Sequence, residues 1–151
     1  MKKIEVGDLL PSFSLKDQNN KTVNSLDFIG KPMVIYFYPK DDTPGCTKEA
    51  CKFRDDFESF TDLGTVVIGI SADSVASHKN FEQKYNLPFL LLADTKNEVR
   101  NLFGVPKNLF FIPGRVTYVI DKNGIVKYIF NSQLSAEKHI ENALQKLKSL
   151  L

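Results

Sequence analysis

The sequence predicts an α/β fold, a central mixed β-sheet flanked by helices on both faces. Three observations carry that expectation. Met33-Val34-Ile35-Tyr36-Phe37-Tyr38 and Val66-Val67-Ile68-Gly69-Ile70 are unbroken apolar runs, the mark of strands buried on both faces. Between such runs, apolar residues recur at spacings of three and four, the helical period. Near the end, two strand-like segments flank Asp121-Lys122-Asn123-Gly124, a hairpin turn signal.

Taken in order, Phe13–Lys16 reads as a first strand, turning at Asn19-Asn20 into Thr22-Val23. The Met33–Tyr38 run is a buried central strand that ends at Pro39. A helix follows, with Thr43 as N-cap and Pro44 at the first helical position, where a missing N–H costs nothing. Ala50, Phe53, Phe57 and Phe60 lie on one face of it. Thr65–Ser71 is the next strand, Ser74–Tyr85 the next helix, and Phe89–Leu92 the third buried strand. Asn97–Phe103 reads as a short helix closed by Gly104, and Val116–Ile120 with Ile125–Phe130 as the hairpin. A last helix, capped by Ser135, turns Ile140, Ala143, Leu144, Leu147 and Leu151 inward. Strand, helix, strand, then a hairpin and a terminal helix is the thioredoxin-like order.

The 151 residues have the length of one domain, expected to span 1–151, and chains of this size bury roughly two-thirds of their unfolded surface. With 42% apolar residues, including 12 Phe, a core forms without metal or disulfide staples, and no metal or cofactor is expected. Twenty basic and 18 acidic residues are spread along the chain, so there is no basic tract for nucleic acid or anionic lipid. No segment approaches the ~20 apolar residues of a membrane span, and Glu5 and Asp8 interrupt the place where a signal peptide is apolar. The expected location is cytoplasmic, the alternative being an organelle such as the plastid after removal of a targeting segment. Two cysteines are too few for a disulfide scaffold, which leaves packing, metal binding or redox chemistry.

The segment from Pro39 to Cys51 is the informative one. It joins a buried strand to a helix and puts Cys46 in the helix's first turn, where free N–H groups and the dipole favour a thiolate. A thiol of pKa ~8.5 is only ~3% ionised at pH 7, so full ionisation gains about 30-fold, or ~2 kcal/mol. Ionisation alone does not make a good catalyst: the site must also stabilise charge on the departing atom, with a hydroxyl and a fixed cation as the tools. Thr43, three residues before Cys46, supplies the hydroxyl, and Arg115, read as a rim cation at the start of a strand, supplies the charge. Each also has a plainer reading, as an N-cap and as a surface charge. Glu49 is either a general base or a favourable charge near a helix start. His78 and His139 lack a ligand pattern and read as satisfied or exposed side chains, and Cys-x4-Cys is not the Cys-x2-Cys of redox or zinc motifs.

The stretch Tyr36-Phe37-Tyr38-Pro39-Lys40-Asp41-Asp42-Thr43-Pro44-Gly45-Cys46-Thr47-Lys48-Glu49-Ala50-Cys51 resembles the active-site segment of peroxiredoxins, and more narrowly of the bacterioferritin-comigratory or Q-type subfamily. The family's Pro, Thr and Cys fall on Pro39, Thr43 and Cys46, and its Arg falls on Arg115 in Gly114-Arg115-Val116-Thr117-Tyr118. Gly104-Val105-Pro106 and Lys138-His139-Ile140 are similar to the plastid and cyanobacterial branch. The resemblance implies a peroxidatic Cys46, a resolving Cys51, Thr43 and Arg115 acting on peroxide and thiolate, and Pro39 shielding the site. It also implies a hydroperoxide substrate, an intramolecular disulfide, recycling by thioredoxin or a similar donor, and a monomer. Two other classes fit the same cysteines: a protein thiol–disulfide oxidoreductase, and a redox-sensing or chaperone-like binding protein.

Overall fold

The computed structural model describes residues 3–106 and 114–150. Its strands are β1 (Ser14–Asp17), β2 (Thr22–Asn24), β3 (Met33–Phe37), β4 (Val66–Ser71), β5 (Leu90–Ala93), β6 (Val116–Ile120) and β7 (Val126–Asn131). The helices are α1 (Pro44–Asp55), α2 (Phe57–Asp62), α3 (Val75–Tyr85), α4 (Glu98–Phe103) and α5 (Ala136–Ser149), with a 3-10 turn at Ser25–Phe28. All seven strands form one sheet, in the order β2-β1-β5-β4-β3-β6-β7. β3 is parallel to β4, as β4 is to β5, and antiparallel to β6, so the sheet is mixed as expected.

β3 is buried along its whole length, and its alternating side chains divide the molecule into two cores. Met33, Ile35 and Phe37 meet Phe13, Tyr118, and Val99 and Phe103 of α4. Val34, Tyr36 and Tyr38 meet Ala50 and Phe53 of α1, Phe60 of α2, Phe81 of α3, and Ile140, Ala143 and Leu147 of α5. Cys46 sits in this second core. The Tyr36 ring stacks on Phe53 with centroids 4.5 Å apart. It also crosses the neighbouring strand at Gly69, where a Cβ would lie 2.8 Å from the Tyr36 ring. That close approach explains the glycine inside the β4 run.

Several boundaries differ from the sequence reading. The helix expected to carry both Ala50 and Phe60 is two helices, because the chain leaves helical geometry at Asp56 (φ −98°, ψ 8°). The third buried strand begins at Leu90, and the hairpin's second strand runs from Val126 to Asn131. Ser135 is at the N-cap of α5 without a side-chain capping bond, and Leu151 lies outside the described residues. Among the described residues no helix is long and apolar enough to cross a membrane.

Candidate active site

β3 delivers the chain to a six-residue connection, Tyr38–Thr43, and α1 begins at Pro44. The first helical bond runs from Thr47 N–H to Thr43 C=O at 2.8 Å, and Cys46 is the third helical residue, 1% exposed. Thr43 holds the N-cap position but does not cap: its hydroxyl donates instead to the Lys40 carbonyl at 3.0 Å. No side chain therefore closes the first turn of α1, and its dipole end stays available to the Cys46 sulfur. Pro39 is half-buried where β3 ends.

The antiparallel register pairs Phe37 with Val116, which brings Arg115 across from Tyr38 and beside the loop. Arg115 is not a rim cation. It is 4% exposed, and each guanidinium nitrogen is engaged. Nη2 donates to Cys46 Sγ at 3.4 Å, Nη1 to Glu49 Oε1 at 2.5 Å and Nε to the Gln133 carbonyl at 3.3 Å. Gly45 makes room for it, since a Cβ there would be 3.0 Å from Nη2. Burial works against the Arg115 charge, but Glu49 and Cys46 outweigh it and raise its pKa. Arg100, which the sequence reading passed over, braces this corner from below. Its Nη2 donates to the Tyr38 carbonyl at 2.9 Å and its Nη1 to the Gly114 carbonyl at 3.0 Å.

Glu49 is fully buried and accepts from Arg115 Nη1 through Oε1. Burial pushes its carboxyl up to about 8 against the pull of Arg115, and Oε2 accepts no hydrogen bond from the described residues. The nearest polar group recorded at Oε2 is His139 Nδ1, 3.7 Å away. His139 is fully buried and its tautomer is set by its partners: Nε2–H donates to the Ser132 carbonyl at 2.7 Å, so Nδ1 accepts from the Thr117 hydroxyl at 2.7 Å. Burial lowers the His139 pKa to about 4, with Arg115 adding to the effect. A depressed folded-state value means stability that is present above the unfolded value of ~6.5 and lost as pH falls towards 4, about 3 kcal/mol by pH 4. Urea titration at pH 7 and pH 4 should show that loss in the wild type and a smaller one in His139→Gln. Equal losses would show that His139 takes up its proton at no cost to the fold.

Cys51 follows on the same helix, half-buried; burial raises its thiol pKa while Arg54 opposes the rise. Both cysteines are free. Asp41, Asp73 and His78 bring ligand atoms within 4.8 Å of one another, but hydroxyl and N–H donors already occupy those oxygens, which suits a hydrogen-bonded cluster rather than a metal. The structure thus brings Cys46, Arg115 and Glu49 into contact, with Thr43 and Pro39 on the adjoining loop and Cys51 farther along α1.

Residues 6–129 match the AhpC/TSA family. Peroxiredoxin Q, chloroplastic, of Oryza sativa subsp. japonica is 54% identical over 149 residues, covering 98% of this chain and 69% of the relative. The crystal structure of peroxidoxin BcpB from Mycobacterium tuberculosis superposes with a TM-score of 0.91 at 33% identity, covering 98% of this chain and 99% of that one. The bacterioferritin comigratory protein of Xanthomonas campestris, described for alkyl peroxide reduction, superposes with a TM-score of 0.85 at 29% identity, covering 95% and 99%. A buried thiol at a helix start with an arginine on its sulfur, in a chain this similar throughout, leaves one conclusion: the chain belongs to the AhpC/TSA family, on its peroxiredoxin Q branch, and is a thiol-dependent peroxidase.

Proposed function

We propose that Cys46 is the peroxidatic cysteine and Cys51 the resolving one. The observation that carries this is the Arg115 Nη2–Cys46 Sγ contact of 3.4 Å at the uncapped first turn of α1. A guanidinium N–H donates to the sulfur, and the positive end of the helix dipole faces the same turn. The thiolate attacks one peroxide oxygen, the O–O bond breaks, and the second oxygen leaves with the electron pair and takes a proton to become water or an alcohol. Arg115 faces the charge that develops there. Thr43 spends its own proton on Lys40, so its oxygen lone pairs are free to accept the peroxide O–H. Pro39 closes the site against water. The Cys46 sulfenic acid then condenses with the Cys51 thiol, giving a disulfide and one water.

The family uses hydroperoxide substrates and thioredoxin-type reductants; for this chain we propose thioredoxin itself as the donor and a monomer as the working form. The plastid naming of the Oryza relative favours the organelle over the cytoplasm as its location. The test is peroxide consumption with thioredoxin as reductant, alongside insulin reduction and suppression of aggregation. Cys46→Ser should abolish peroxide turnover, because Cys46 alone of the two thiols touches Arg115. Turnover above a few per cent in that variant would overturn the assignment of roles. Insulin reduction without peroxide consumption would favour the protein disulfide reductase.

A further inference from the structure

The loop that carries Pro39 and Thr43 is fastened to α3 by consecutive aspartates. Asp41 is nearly buried, and its carboxylate receives Tyr38 OH on Oδ1 at 2.6 Å and Ser77 OH on Oδ2 at 2.9 Å. His78 Nδ1 lies 2.7 Å from the same Oδ2, and its Nε2 is 3.0 Å from the Leu92 carbonyl. The Asp41 N–H donates to Asp73 Oδ2 at 2.8 Å. Asp42 has a left-handed backbone (φ 58°) that a non-glycine residue adopts at a cost. Its carboxylate is held by Lys84 Nζ at 2.7 Å and Tyr85 OH at 2.6 Å. Ser77, His78, Lys84 and Tyr85 recur two helical turns apart, so one face of α3 holds both aspartates.

The proton inventory of His78 follows from its partners. The Leu92 carbonyl has no hydrogen, so Nε2 must carry one. The contact from Nδ1 to Asp41 needs another, because two bare lone pairs at 2.7 Å would repel. His78 and Asp41 therefore share a proton inside the core, and that bond is among the shortest tying the loop to α3. None of these ties reaches α1.

We propose that His78 is a positioning residue for peroxide reduction: its Nδ1 bond to Asp41 fixes the Pro39–Thr43 loop in the geometry that receives peroxide, independently of the helix that follows. The proposal rests on the reading of Cys46 as the attacking thiolate. It separates two properties that simple damage to the fold would change together, the reactivity of the sulfur and the placement of the peroxide.

Two amides make the test. In His78→Asn the amide nitrogen occupies the place of Nδ1 and can donate to Asp41, losing Leu92. In His78→Gln it reaches the place of Nε2 and can donate to Leu92, losing Asp41. Second-order oxidation of Cys46 by hydrogen peroxide should stay within about threefold of wild type in the Asn variant and fall at least tenfold in the Gln variant. Alkylation of Cys46 by iodoacetamide should be unchanged in both. Equal peroxide rates in the two variants, or alkylation that falls in step with peroxide reduction, overturn the proposal. If the Gln variant does not fold, Ser77→Ala takes its place, with a two- to fivefold slower peroxide step and unchanged alkylation expected; an unchanged peroxide step overturns the role of the Asp41 tether. A wild-type protein whose peroxide consumption does not depend on Cys46 would instead overturn the underlying reading of the site.

Discussion

Replacing Arg115 with Met is expected to slow peroxide reduction by about 100- to 1,000-fold, the usual loss when a donor aimed at developing oxyanion charge is removed. The same change also has a cost in stability, because Arg115 and Glu49 form a buried pair. Removing one partner of such a pair typically costs about 3–5 kcal/mol. Here the remaining partner can relieve part of that cost. The Glu49 carboxyl, already pushed up to about 8 by burial with Arg115 present, rises further when Arg115 is absent. A folded-state value raised above the unfolded ~4.3 contributes stability that is fully present below ~4.3 and lost as pH rises through the folded value. Arg115→Met should therefore lose stability steadily as pH rises from about 4.3 through 8, until the raised folded value is passed. Adding Glu49→Gln should flatten that slope and restore stability without restoring the rate. Urea titration across pH 6–9 and stopped-flow oxidation read the two effects separately. A rate within threefold of wild type in Arg115→Met would remove Arg115 from the chemistry.

The parts of this molecule that were legible in the sequence are those whose signal is local. β3 is readable because burial on both faces leaves no polar position in Met33–Phe37. Thr43, Pro44 and Cys46 are readable because a helix start is written in a few adjacent residues. The 3-10 turn at Ser25–Phe28 also had a local signal, the Asn24/Asp27 capping box, that the sequence reading did not use. The break at Asp56 was hidden because Ala50, Phe53, Phe57 and Phe60 keep facing the same core across it, and periodicity records the direction of a face rather than the continuity of the backbone. The burial of Arg115 was hidden for a different reason. Its counter-charge, Glu49, is 66 residues away, and nothing near Arg115 in sequence distinguishes a buried cation from a surface one. Asp41 and His78, 37 residues apart, were unreadable on the same ground.

Oxidation should unwind the first turns of α1. Residues five apart on an α-helix have Cα atoms about 8.6 Å apart, separated by ~140° of rotation. A disulfide needs less than ~7 Å and converging Cβ directions. Cys46 and Cys51 both lie within Pro44–Asp55, so they cannot bond while that helix is intact. The structure also says where the unwinding should stop. Downstream, Phe53 is fully buried against Tyr36, and Arg54 Nη1 donates to the Tyr85 carbonyl at 2.8 Å. Upstream, Asp41 and Asp42 are held by α3. The segment between these anchors contains Glu49, whose carboxyl leaves Arg115 for water and drops from about 8 towards its ordinary range, releasing a proton. Acid therefore favours the intact helix, and a rise of pH towards 8 favours the disulfide form. Amide hydrogen exchange should show residues 45–51 protected in the reduced protein and close to unprotected in the oxidised one, a change on the order of a hundredfold or more. Protection at Phe53 and beyond should be retained in both, and protection of 45–51 in the reduced protein should fall from pH 6 to pH 8, narrowing the contrast. Equal protection of 45–51 in the two redox states, with the Cys46–Cys51 bond confirmed by mass spectrometry, would show that the two sulfurs meet without unwinding and that the helix is not the barrier between the two half-reactions.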